Sequence, residues 1–202
     1  MYIYGITGPS GSGKSILCEY FSLHGIPHIN ADALYHEMLV PPSAVVDALH
    51  SAFGDAIMNE EGGIDRRALS AIVFHSPEKL DTLNKVVLPL VLCEMRRRIS
   101  LLKTEGVSAV AIDAPTLIES GFHTECDTVI AVLSSKAKRI ERIIARDNIS
   151  EERAKARIEA QKPDSFYTDA ADVVLQNDGN REALFSQAAS LIPKADERSE
   201  TT

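Results

Sequence analysis

Gly8-Pro9-Ser10-Gly11-Ser12-Gly13-Lys14-Ser15 fits the pattern G-x-x-x-x-G-K-[ST] at every position, and the apolar run Tyr2-Ile3-Tyr4-Gly5-Ile6 leads straight into it. No other stretch constrains the fold so tightly. The pattern requires a buried strand before it, a glycine turn, and a helix opening at its lysine. One geometric task explains the residue types. Successive backbone N–H groups must converge on an anion, and a side chain at Gly8 or Gly13 would block that approach or forbid the dihedrals. A helix beginning near Lys14 adds unpaired N–H groups and the positive end of its dipole. Lys14 offers a mobile ammonium for β- and γ-phosphate oxygens, and the Ser15 hydroxyl suits a Mg²⁺ ligand. A turn of purely structural purpose would leave Gly-Lys-Ser in that order unexplained.

Other apolar runs supply the rest of a sheet. Ile26-Pro27-His28-Ile29 reads as a short second strand ending at Asn30-Ala31-Asp32, and its proline suits an edge or a strand start. Val107 to Asp113, Thr128 to Leu133 and Asp172 to Leu175 complete five strands separated by helices. Near-continuous apolar strands alternating with helices predict a parallel sheet covered on both faces. Sites in such sheets lie at the strands' carboxyl ends, where Asp32, Asp113 and the glycine loop would all fall. From Ala33 to about Glu105 the pattern is mainly helical, longer than a minimal crossover, and reads as an inserted subdomain. Within it Leu80, Leu83, Val86, Val87, Leu90 and Val91 recur at helical spacing, with Pro89 set to start a fresh helix or kink this one.

With 202 residues, 45% of them hydrophobic, the chain can bury one α/β core plus such an insertion. Its formal net charge of −8 argues against a nucleic-acid or anionic-membrane partner, both of which reward a basic surface. Cys18, Cys93 and Cys126 are scattered and imply no disulfide framework, and the histidines show no metal-ligand spacing. No signal peptide opens the sequence, and the best apolar stretch, Val86 to Cys93, is far too short to span a bilayer. The expectation is a soluble cytoplasmic protein.

Asp113 closes a strand of small and branched residues, the position at which phosphate-loop proteins hold Mg²⁺ directly or through water. Its competing role is to cap the turn before Pro115. Asp32 is equally readable as a helix cap before Ala33 to Met38 or as a group that orients an acceptor hydroxyl. Residues 136–162 carry nine of the 21 lysines and arginines, with Lys138, Arg142 and Arg146 on one helix face. A solvated, ion-paired surface is the ordinary reading of such a segment. Beside a phosphate loop the better reading is a closing lid, which excludes water and brings at least one arginine to phosphate.

Taken together, these pieces resemble the dephospho-coenzyme A kinase family. The resemblance rests on Gly5-Ile6-Thr7-Gly8 running into Gly11 to Ser15, Ile29-Asn30-Ala31-Asp32, Phe53-Gly54, and Gly63-Ile64-Asp65-Arg66-Arg67-Ala68-Leu69. It continues through Asp113 to Glu119, Arg142 to Asp147, Gln161, Ala171 to Val174 and Asn177-Asp178-Gly179, covering almost everything except the tail. It implies a P-loop kinase of three-layer α/β fold, with a five-stranded parallel sheet, over 1–194. An acceptor-binding helical insertion would span about 54–105, a lid about 136–165, and a flexible tail 195–202. The implied reaction transfers the γ-phosphoryl of ATP, with Mg²⁺, to the ribose 3′-hydroxyl of dephospho-CoA. ATP would be held by Gly8, Gly11, Ser12, Gly13, Lys14, Ser15, Ile16 and Asn177, and the metal by Ser15 and Asp113. The acceptor would meet Asp32, Arg66 and Asp113, with Asp32 as base and Lys14, Arg142 and Arg146 assisting transfer. A monomer or small homo-oligomer is expected. Three departures stand out: Asn30 where the family commonly has Asp, Leu88 where a histidine precedes the proline, and Thr116 and Ile118 after Asp113-Ala114-Pro115. Two other readings are another P-loop small-molecule or nucleoside kinase, and an ATP-dependent switch protein. The guanine-switch patterns Asp-x-x-Gly and Asn-Lys-x-Asp do not occur.

Overall fold

Apolar strands separated by helices assemble into a five-stranded parallel sheet in the computed structural model, which describes residues 1–73 and 75–192. The expected tail, 195–202, lies outside the described residues, as do 193 and 194. The strands are β1 (Tyr2–Thr7), β2 (His28–Asn30), β3 (Ala109–Asp113), β4 (Thr128–Leu133) and β5 (Val173–Gln176), in the order β2-β3-β1-β4-β5. Register pairs Ile6 with Asp113 and Thr7 with Ala131, so β1, the strand that feeds the glycine loop, lies between β3 and β4. Every residue of β3 is buried, as a strand covered on both faces requires. The last strand starts one residue later than its sequence pattern predicts. Asp172 is occupied at the strand's mouth: its carboxylate accepts from Val129 N at 2.7 Å, while its own N–H donates to Val129 O at 2.9 Å.

The chain divides into two compact units, one from Met1–Ile29 with the chain from Val107 onward, the other from Asn30–Gly106. In the first, helix α1 (Lys14–Leu23) covers one sheet face, burying Leu17, Cys18, Tyr20 and Phe21 against Tyr4, Ile6, Ala111, Ile130 and Val132. Ile6 and Phe21 are fully buried, and side chains of this size contribute about 1.5–3 kcal/mol each. Gly25 ends the helix as predicted, in the left-handed region at φ 73°, with its N–H on Ser22 O. On the opposite face Gly5 lets the segment after β3 approach closely. A Cβ there would lie 2.7 Å from Cys126 Sγ and 2.8 Å from Leu117 Cδ2.

The second unit is helical: α2 (Ala31–Glu37), α3 (Ala44–Phe53), α4 (Arg66–Val73) and α5 (Pro77–Thr104). Its core joins Leu39, Val45, Leu49, Ile57, Ile64 and Leu69 to the Leu83, Val86, Val87 and Leu90 face of α5. That face matches the predicted spacing at these four positions, whereas Leu80, expected on the same face, is exposed near the start of the helix. Pro89 neither starts a new helix nor ends this one; it sits inside a single 28-residue element. The expected insertion, about 54–105, falls within this unit.

Back in the first unit, α6 (Lys136–Asp147) and α7 (Glu151–Glu159) form a pair, joined through Asn148 in the left-handed region and capped by Ser150 on Arg153 N. Ile143, Ala154 and Ile158 make the small core between them. Helices α8 (Asp164–Thr168) and α9 (Arg181–Ala188) complete the layers, α9 packing beside α1. Among the described residues no helix is long and apolar enough to cross a membrane.

Candidate active site

The loop between β1 and α1 takes the shape that its glycines permit. Gly8, Gly11 and Gly13 have φ of 138°, 79° and 104°, values that L side chains rarely adopt. Space forbids a side chain as well. A Cβ on Gly8 would collide with Val132 O, and one on Gly13 with Asn177 Nδ2. Gly13 also serves as N-cap of α1 without a capping side chain, and its own carbonyl accepts from Ile16 N at 3.0 Å. Lys14 Nζ reaches back across the loop to donate to Gly8 O at 2.9 Å. Ser15 is exposed and Ile16 half-buried in that same first turn.

Asp113 ends β3 beside this loop and is 5% exposed. Below it lies Cys18, one helical turn after Lys14. Its thiol donates to the Asp113 carboxylate, and burial, followed by that negative charge, pushes the thiol pKa well above its usual range. Among the described residues no three His, Cys, Asp or Glu side chains cluster as metal ligands. A buried carboxylate beside the loop and a serine hydroxyl in the first turn of α1 are the kind of sparse oxygen donors that suit Mg²⁺, which keeps waters and takes substrate phosphates as its other ligands.

The side chains after β4 and β5 hold the loop from its convex side. Asn177 is 2% exposed, and its Nδ2 donates to Ser12 O at 2.7 Å. It therefore grips the loop from behind. Arg142 behaves similarly. One guanidinium nitrogen donates to Gly11 O, Ser12 O and Ser134 Oγ, each at 3.2 Å, and the other to Asn177 O at 2.8 Å. Three main-chain carbonyls and the Ser134 hydroxyl accept from its guanidinium. Asp178 ties the same region together by accepting from Ser135 N at 2.7 Å and Ser134 Oγ at 3.0 Å; the backbone N–H bond holds its carboxyl below the usual range.

Arg146 lies at the far end of α6, 61% exposed, and makes a two-point pair with Asp147 at 2.7 and 2.9 Å. Arg157 from α7 donates to the same carboxylate. The two guanidinium groups, Arg146 first, draw the Asp147 pKa down to about 2. A third arginine of α6, Arg139, is 3% exposed and donates to Ser10 O at 3.1 Å and to Gln161 Oε1. Sequence reasoning missed it. The available signal was its place four residues before Ile143, on the buried stripe of the helix.

In the helical unit, Asp32 is exposed in the first turn of α2. Asn30 caps that helix by accepting from Ala33 N at 2.8 Å, a task for which Asn and Asp are equivalent. The substitution at 30 therefore leaves the α2 start intact. Arg66 opens α4, anchored by Asp65, whose carboxylate accepts from Arg67 N at 2.8 Å and Ala68 N at 3.1 Å. Burial raises the Tyr35 phenol pKa, and the nearby Arg66 charge opposes that rise. Arg66, Arg67 and Ser70 line an open cavity of about 590 Å³, a basic mouth suited to an anionic group.

Comparison with known proteins agrees with this geometry. The family model described as dephospho-CoA kinase matches residues 2–183. A dephospho-CoA kinase from Shouchella clausii is 33% identical over 190 residues, covering 94% of this chain and 96% of that protein. The crystal structure of TT1252 from Thermus thermophilus superposes with a TM-score of 0.79 at 32% identity, covering 94% of this chain and 96% of that one. A dephospho-CoA kinase structure from Campylobacter jejuni shares the fold with a TM-score of 0.69 at 24% identity, over 94% of each chain.

Proposed function

We propose, from the premise that this chain belongs to the dephospho-CoA kinase family and is an ATP-dependent kinase of coenzyme A biosynthesis, a division of labour among its residues. The observation that carries it is the loop of Gly8 to Ser15, crossed by Lys14 and flanked by buried Asp113.

In this reading the main-chain N–H groups of Gly11, Gly13 and Lys14 hold the β-phosphate, with Gly8, Ser12, Ser15 and Ile16 completing the cradle. The Lys14 ammonium leaves Gly8 O for the β/γ oxygens, where negative charge must be balanced during transfer. Ser15 and Asp113 are the residues that would hold Mg²⁺, which supplies neutralisation of phosphate charge when bound. Asp32 orients the ribose 3′-hydroxyl of dephospho-CoA and accepts its proton. In a loose transition state that proton leaves late, so most of the benefit is alignment. Arg66 and the basic cavity around it meet the acceptor's phosphates, within the insertion of about 54–105. Arg142 and Asn177 fix the loop's carbonyls, while Arg146, at the exposed end of the lid of about 136–165, exchanges Asp147 for phosphate as the lid closes and excludes water.

The test is a product analysis after incubation with ATP, Mg²⁺ and dephospho-CoA, alongside a panel of nucleosides and other alcohols. Coenzyme A and ADP in equal amounts are expected with dephospho-CoA alone. Faster ADP release with another alcohol, or acceptor-independent hydrolysis exceeding transfer, would overturn the assignment.

A further inference from the structure

Ser10 is held at both of its main-chain polar groups by side chains from outside the phosphate loop. Its carbonyl accepts from Arg139 Nε at 3.1 Å. Its N–H donates to Gln161 Oε1 at 3.2 Å. Arg139 Nη2 donates to that same Oε1, closing a ring of three hydrogen bonds through Arg139, Gln161 and Ser10. Nothing in the phosphate-loop pattern calls for these partners, and neither side chain belongs to the phosphate cradle.

Burying a guanidinium is expensive unless acceptors surround it. Arg139 is 3% exposed, with Asp164 Oδ1 3.6 Å from its remaining nitrogen. Burial pulls its pKa down while Asp164 opposes the fall. The packing beside it leaves no slack. A Cβ built on Gly11 would lie 2.8 Å from Arg139 O and 3.1 Å from its Cα, so loop and α6 are in main-chain contact. Arg139 sits near the start of α6 and Gln161 just beyond α7. The ring therefore ties both ends of the helical pair to one residue of the loop.

We infer that Arg139 and Gln161 are positioning residues: by gripping Ser10 from two sides they preset the phosphate loop for the triphosphate before it arrives. Presetting lowers the ordering cost of binding, so the effect falls on ATP affinity and leaves acceptor binding alone. The inference rests on reading the loop as the ATP site.

The experiment compares wild type, Arg139→Met, Gln161→Ala, the double variant and Lys14→Ala by equilibrium ATP titration, steady-state kinetics and thermal melting. Gln161 is half-buried, and its truncation leaves the buried guanidinium in place, so this variant folds even if Arg139→Met does not. Each single variant of the ring is expected to weaken ATP binding about 10- to 100-fold, the range for hydrogen bonds involving a charged group. The KM for dephospho-CoA and kcat at saturating ATP should stay within about threefold of wild type. The double variant should be no weaker than Arg139→Met, since both break one ring. Gln161→Ala with wild-type ATP affinity would overturn the inference, as would fully additive losses, or a lowered melting point with ATP affinity unchanged. Lys14→Ala separates the two levels. If it lowers ATP affinity while the ring variants do not, only the positioning role fails; if it changes nothing, the loop reading falls with it.

Discussion

Replacing Arg142 by methionine keeps the aliphatic stem and removes every donor. Four acceptors lose a partner: Gly11 O, Ser12 O, Ser134 Oγ and Asn177 O. Ser12 O still receives Asn177 Nδ2, and Ser134 Oγ still donates to Asp178. The uncompensated loss therefore falls on the Gly11 and Asn177 carbonyls. An unsatisfied buried polar group costs about 1–3 kcal/mol, and half-burial of this site lets water recover part of that. A net penalty of about 2–4 kcal/mol results, concentrated on the loop's main chain. At 1.4 kcal/mol per decade this predicts about 30- to 1000-fold weaker ATP binding. Arg146→Met should behave oppositely, because its side chain is exposed and pairs only with the adjacent Asp147 among the bonds described above. It should retain ATP affinity and lose kcat. Calorimetric ATP titration and steady-state assays on both variants decide the matter. If Arg142→Met binds ATP like wild type while kcat collapses, the guanidinium acts on the transferred group and the positioning argument is wrong.

Asp32→Asn should leave ATP affinity unchanged and lower kcat by about 10²- to 10⁴-fold, the usual span for a proton-accepting group; an unchanged kcat removes Asp32 from that role. Gly5→Ala should lower the melting point by an overpacking cost of about 1–3 kcal/mol, since its Cβ meets Cys126 Sγ and Leu117 Cδ2, and Cys126→Ala should recover part of the loss. The Asp147 carboxyl is depressed from 3.8 to about 2, so its pairing contributes to stability above about pH 4 and is lost as pH falls towards 2. Acid unfolding of wild type should accordingly show a steeper loss across that window than Asp147→Asn, and parallel curves would dismiss the pairing.

Elements that carry their own signal were readable from sequence. The glycine loop needs particular residues at fixed offsets, and Asp113 ends a run so apolar that only a central strand fits it. The start of β5 was misplaced by one residue because Asp172, polar but tied to Val129, bonds across strands without extending the ladder. Pro89 was ambiguous because whether a helix passes through a proline depends on what packs around it. The roles of Asn177, Arg142 and Arg139 were the least legible. Sequence drew Arg142 and Asn177 toward the nucleotide without showing that they hold loop carbonyls, and Arg139 read as part of a charged surface. Only the tertiary approach of α6 to the loop buries Arg139 and directs Arg142 onto carbonyls. Arg139 alone left a trace, as a charge on the stripe that Ile143 identifies as buried.

Cys18 lies under the Asp113 carboxylate with its sulfur sealed from solvent and held in the protonated form. Electrophiles and peroxides attack thiolates, so this sulfur stays chemically silent even though it touches the carboxyl end of β3. Alkylating reagents should find the exposed Cys93 instead. Oxidative insult would then mark the helical unit and spare the buried carboxylate at the end of β3.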